Sequence, residues 1–180
     1  MRIRACRLKM EGIYAHFPDT YHCAALFLYK ASRRKFQKSL ISLFYEMNMG
    51  AESFNIQSIT SHGIRIAFDI GIADELTFNF IDDEERKKWL SILDKREFEI
   101  LDFLLVARYY VSRDGRDRPL RFDYYMLRFL FGRRSVELRI YHEKGTRRLS
   151  IEDLVDLLYK GLRRRIGGEL SMRLEPLGTF

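Results

Sequence analysis

The sequence predicts one α+β domain, an antiparallel sheet of hairpins packed against several helices. Three observations carry this. At 180 residues, 47% hydrophobic and 14% aromatic, the chain can bury one sizeable core. Residues 64–80 and 135–141 alternate apolar and polar side chains with the period of half-buried strands. Three capped segments carry apolar residues at helical spacing, and the order of elements has no β-α-β rhythm. The domain is expected over residues 1–168, with 169–180 a loose tail or docking segment.

Residues 2–15 read as a loose strand, with Ile3 and Ala5 alternating with Arg2, Arg4 and Cys6. Phe17-Pro18-Asp19-Thr20 is a turn signal, since proline presets φ and aspartate bonds the backbone ahead. Tyr21–Tyr29 is apolar on all sides and reads as the second arm of an N-terminal hairpin, with a helix as the alternative. Ser32 is placed to cap a helix carrying Phe36, Leu40, Leu43, Phe44 and Met47, closed by Gly50. A weak strand follows over 54–60. Ile64, Ile66, Phe68 and Ile70 form one arm of a hairpin, and Leu76, Phe78 and Phe80 the other.

Asp82 and Glu85 have capping-box spacing for a helix with Trp89, Leu90 and Leu93. Asp94 and Glu97 repeat it, so Phe98–Val111 reads as a largely buried helix, with a strand as the alternative. Residues 113–119 read as a charged loop. Leu120–Phe131 and Ser135–Tyr141 pair across Gly132-Arg133-Arg134. Ser150 caps a last helix whose apolar face is Ile151, Leu154, Val155, Leu158 and Leu162, closed by Arg163-Arg164-Arg165. A hairpin followed by a capped helix thus occurs twice, without enough identity to claim a duplication.

The net charge of +7 is unevenly spread, and 23 of the 32 cations are arginine. Residues 1–38 carry +7, 46–102 carry −7 and 113–148 carry +6. Two basic segments separated by an acidic one suggest a surface facing a polyanion, or else segments that neutralise each other in the fold. Abundant charge with three prolines also fits a heat-stable protein held by ion-pair networks.

Some chemistry has no local sequence support. The four histidines are scattered singly, so no metal motif is present and no cofactor is expected. His142-Glu143-Lys144 reads as a surface turn. No apolar run approaches the length of a membrane span, and no secretory leader is read at the N-terminus. Two cysteines form no disulfide framework, so a reducing, cytoplasmic setting is expected.

What the sequence does offer is arginine interleaved with rings. Arg116, Arg118, Arg121, Arg128, Arg133, Arg134 and Arg139 lie among Tyr124, Tyr125, Phe129 and Tyr141. Alternation puts Arg121, Tyr125 and Phe129 on one face and Tyr124 and Arg128 on the other, so both faces carry aromatics. If one face is solvent-exposed, its guanidiniums and rings suit an unpaired strand, whose phosphates and bases they would hold. If both are covered, the rings are core. Arg33, Arg34, Lys35 and Lys38 repeat the basic chemistry around Phe36 and would extend the track, or form an ordinary solvated helix start.

The segment Arg121-Phe122-Asp123-Tyr124-Tyr125 through Arg148-Leu149-Ser150-Ile151-Glu152-Asp153-Leu154 resembles the archaeal single-stranded DNA-binding proteins of the ThermoDBP type. The resemblance rests on a basic, aromatic hairpin leading into a capped amphipathic helix. It implies a cleft for unpaired DNA between helices and sheet, and assembly into dimers or larger oligomers. The expected function is non-catalytic binding of single-stranded nucleic acid with little sequence preference. The eleven cations just named would engage phosphates, and stacking rings would be drawn from Tyr124, Tyr125, Phe129 and Tyr141. The alternatives are a homo-oligomeric module whose aromatic face is a subunit contact, and an RNA- or nucleotide-processing enzyme with a distributed site.

Overall fold

The computed structural model describes residues 14–50, 56, 59, 63–113, 115–168 and 170–175. Its elements are β1 (Cys23–Tyr29), α1 (Arg33–Met49), β2 (Ile64–Asp74), β3 (Thr77–Phe80), α2 (Asp83–Lys95), β4 (Ile100–Arg113), β5 (Arg116–Pro119), β6 (Asp123–Phe131), β7 (Ser135–Lys144), α3 (Ile151–Ile166) and β8 (Leu170–Glu175). The strands form one antiparallel sheet in the order β3-β2-β4-β6-β7-β1-β8, with β5 paired to β4 beside this path. The α+β class and the hairpins β2–β3 and β6–β7 are as the sequence predicts.

The local signals act where expected. Ser32, Asp82 and Ser150 each accept a hydrogen bond from the backbone N–H three residues on, opening the three helices. Gly50 closes α1 in the left-handed conformation, φ 64°. The helices cover one face of the sheet, with α1 central. Phe44 of α1 meets Phe103 and Phe129 at ring separations of 4.7 and 6.2 Å, Trp89 of α2 lies by Phe98, and Tyr159 of α3 stacks over Phe27. Gly161 lets α3 approach α1, since a Cβ there would stand 2.7 Å from a Leu43 methyl. Gln37, fully buried, clamps residue 98 by donating to its carbonyl and accepting from its N–H.

Four sequence expectations are corrected. The segment read as a helix over 98–111 is strand from Ile100 onward: Leu101, Phe103, Leu105, Ala107 and Tyr109 alternate into the core. Leu104 and Val106 on the other face are apolar too, Val106 buried, and this hides the period of two. The charged loop after it is a tight turn through Gly115 into β5. Part of the supposed tail is β8, which sends Leu170 and Met172 toward the core. Finally, β1 is paired by β7 on one side and β8 on the other, which leaves no edge for a hairpin with 2–15. Most of that expected strand, and most of the one expected at 54–60, lie outside the described residues.

Phe129 is fully buried and touches Phe44, Phe103 and Phe131. Phe129→Ala is expected to cost about 3–5 kcal/mol of stability, read as a lower urea midpoint.

Candidate nucleic-acid interface

The predicted cations and rings fall into three places. Arg116 and Arg118 of β5 are exposed at the end of the sheet where β4 finishes. By register they lie opposite Arg113 and Val111, on the helix-side parity, whereas Tyr124 and Tyr141 belong to the other face. Arg121 is exposed at the same end. Arg133 and Arg134 are exposed in the turn at the far end of β6, roughly 30 Å away at ~3.3 Å per strand residue. These arginines therefore do not form one track.

Tyr125 and Phe129 are corrected outright as stacking rings, because both are fully buried beneath the helices. Core parity on β6 is the reason, and it equally removes them from any subunit contact. Tyr124 and Tyr141 stand half-buried on the helix-free face, Tyr124 edge-on to Phe122 and Tyr141 stacked on His22 at 5.0 Å.

That face does combine guanidiniums with rings, but the protein supplies both. Arg128 and Arg139 are directly opposite on β6 and β7. Arg128 is bidentate to Asp102 at 2.8 and 2.7 Å, and Arg139 pairs with Glu137 at 2.6 Å. Residues 14–21 lie over them: Phe17 under the Arg128 guanidinium at 4.8 Å, Tyr21 under that of Arg139 at 4.9 Å. Tyr14 completes the strap by hydrogen-bonding Asp102 and packing on Phe78. Burial, then the bond to Asp102, push its phenol well above the ordinary range.

At the Arg133–Arg134 end the two basic segments meet. Arg33 Nη2 donates to the Gly132 carbonyl at 3.2 Å, and the Tyr29 N–H donates to the Arg134 carbonyl at 3.0 Å. The start of α1 is thereby fixed against the β6–β7 turn. From there a groove of about 470 Å³ runs along α1, lined by Ser32, Arg34, Lys35, Lys38, Ser39, Ser42, Glu46 and Arg165. No ring lines it.

The first turn of α1 is electrostatically anomalous. A helix N-terminus favours negative charge, worth roughly 0.3–1 kcal/mol per group. α2 opens on Asp83, Glu84 and Glu85 and α3 on Glu152 and Asp153, but α1 opens on Arg33, Arg34 and Lys35 with no acid. The acidic segment partly neutralises this end: Lys38 pairs with Asp94, Arg34 with Glu97 at 3.9 Å, and Arg165 with Glu46. Among the described residues, Lys30, Arg33, Lys35, Arg133 and Arg134 have no carboxylate partner.

Sequence reading missed a buried polar cluster. Asp123 is fully buried on the core side of β6 and accepts from Tyr109 Oη at 2.6 Å, Arg147 N at 2.7 Å and Arg148 N at 2.9 Å. His142 Nε2 lies 3.0 Å from its Oδ1. Arg147 Nε, which can only donate, lies 3.2 Å from His142 Nδ1, so the hydrogen bonds assign the neutral-ring proton to Nε2, facing Asp123. Gly145 has φ 123°, and a Cβ there would sit 2.2 Å from Asp123 Oδ1. The loop wraps the carboxylate closely, and both of its oxygens are engaged by the protein. The legible signal was an aspartate at a core-parity position. Among the described residues, no group of three or more His, Cys, Asp or Glu could hold a metal, and no helix is long and apolar enough to cross a membrane.

No protein-family model matches the chain, and no curated protein or solved structure matches it.

Proposed function

We propose that this protein binds single-stranded nucleic acid without catalysis, through the basic groove of α1 and the adjoining β6–β7 turn. The observation that carries this is the meeting of two basic segments at the Gly132 carbonyl, an end of the molecule where five cations have no carboxylate partner among the described residues. Phosphates there would supply the negative charge that the N-terminus of α1 lacks. Arg33, Arg133 and Arg134 offer planar forks for phosphate, and Lys30 and Lys35 offer point charges. Because the described lining of the groove is cations, serines and one glutamate, recognition runs through the backbone of the strand, with little sequence preference. The likeness of residues 121–154 to ThermoDBP-type proteins points the same way.

Fluorescence anisotropy with a labelled homopolymeric oligonucleotide tests this. Micromolar or tighter affinity is expected at low salt, with weaker binding to a duplex of equal length. The slope of log K against log salt is expected near −3, at about 0.7 per phosphate for about four or five contacts. Absence of binding at low salt overturns the reading.

A further inference from the structure

The two rims of the sheet are finished differently. β3 is four residues long, and beside it the Tyr14 N–H donates to the Leu76 carbonyl at 2.8 Å, so that rim is short and partly covered. β8 closes the other rim with six residues, and among the described residues no strand pairs with its outer side. Its register against β1 sends Leu170, Met172 and Leu174 to the helix side, and Ser171 and Arg173 to the other. Leu170 is buried and Met172 packs on the core, but Leu174 is 52% exposed, an apolar side chain on a strand paired by β1 on one side only among the described residues.

We propose that the outer edge of β8 joins two copies of this chain, strand to strand and antiparallel, about a two-fold axis normal to the sheet. Such an axis keeps both helix layers on one side, so directly opposed residues share a face. A register centred on Arg173 would set the two guanidiniums directly opposite, which like charge disfavours. A register centred on Met172 sets Leu174 of each copy against Leu170 of the other, Met172 against Met172, and Ser171 against Arg173. It covers the exposed leucine and opposes no like charges, and is the register assigned.

A second feature fits the same axis. α3 lies over this rim, its Tyr159 hydroxyl donating to the Leu170 carbonyl at 3.3 Å. Glu152, Asp156, Tyr159 and Arg163 share one stripe of the helix by their three- and four-residue spacing, and Lys160 at its border pairs with Asp156 at 2.6 Å, leaving the other carboxylate oxygen of Asp156 for a second cation. The stripe beside the rim thus reads acid, acid, tyrosine, base. The two-fold makes α3 antiparallel to its copy, and with Tyr159 near the axis Asp156 of one copy stands beside Arg163 of the other. Asp156 and Arg163 thus form a pair that is self-complementary about the axis.

Light scattering coupled to gel filtration tests the proposal at micromolar concentration. The chain is expected at twice its 21.6 kDa. Leu174→Arg alters an exposed residue and is expected to weaken association at least tenfold with an unchanged circular dichroism spectrum. Arg163→Asp is expected to weaken it by setting acid against acid, and the double swap Asp156→Arg with Arg163→Asp to restore it. A wild-type chain that stays at 21.6 kDa up to 100 μM, its edge then being free or covered by its own residues, overturns the proposal. So does a dimer indifferent to Leu174→Arg, or a double swap that fails to rescue. None of these residues lines the groove of α1, so failure of the dimer and failure of nucleic-acid binding are read separately.

Discussion

Reversing Lys35, Arg133 and Arg134 to glutamate is expected to lower affinity for an unpaired oligonucleotide by about 100-fold at low salt. Each contact between an exposed cation and a phosphate is taken at ~1 kcal/mol, and three such losses convert to roughly two decades. The salt slope should fall by about 2 in parallel. Lys35→Glu alone separates binding from folding. It places an acid three residues after the Ser32 cap, completing a capping box and suiting the helix dipole. That variant is expected to melt slightly higher while binding more weakly. Arg116→Glu with Arg118→Glu is the control: it changes net charge by four, far beyond a ~10 Å screening length from the groove. An equal loss of affinity in that control would show that overall charge, and not the groove, holds the ligand.

Asp123→Ala is expected to be the most damaging single substitution, at about 4 kcal/mol or more. It orphans a tyrosine hydroxyl, a ring N–H and two backbone amides around a fully buried site. The same carboxylate sets an acid limit. Burial pushes its pKa up, but the hydrogen bonds from Tyr109, His142, Arg147 and Arg148 outweigh this and hold it below the ordinary 3.8. A folded value below the unfolded one means that the stabilisation is complete at neutral pH. It is lost as pH falls below about 4 toward the folded value. Urea unfolding at pH 7 and pH 3 checks this, since the difference between wild type and Asp123→Ala should shrink at the lower pH. A difference unchanged between the two pH values would sink the assignment.

How much of this could be read from sequence follows from the range of each interaction. The helix caps at Ser32, Asp82 and Ser150 and the hairpin across Gly132 are local, and each was legible from residues a few positions apart. β4 was not, because apolar residues on both faces of an inner strand erase the alternation that marks a strand. β8 was not, because six residues reveal themselves only through their partner, more than 130 positions earlier. At the site, the chemistry of Arg33, Arg34, Lys35, Arg133 and Arg134 was legible, but their meeting depends on contacts about a hundred residues apart. Conversely, Arg128 and Arg139 have the composition of a ligand face, and only the fold shows that Phe17 and Tyr21 already occupy it.

The position of β1 between β7 and β8 has a temporal consequence. A ribosome releases Cys23–Tyr29 early, yet its neighbours are Ser135–Ile140 and Leu170–Glu175, so its place in the sheet stays empty until nearly all the described chain has emerged. Meanwhile α1 has Phe36, Leu40 and Phe44 ready to bury and only part of the sheet to bury them against. Pairings this distant carry a high loop-closure cost, which places the chain among slow folders that spend time with apolar surface in water. Truncation before Leu170 is expected to leave β1 as a bare rim, and yield of soluble protein should drop more steeply for that deletion than for one of equal length in an exposed turn.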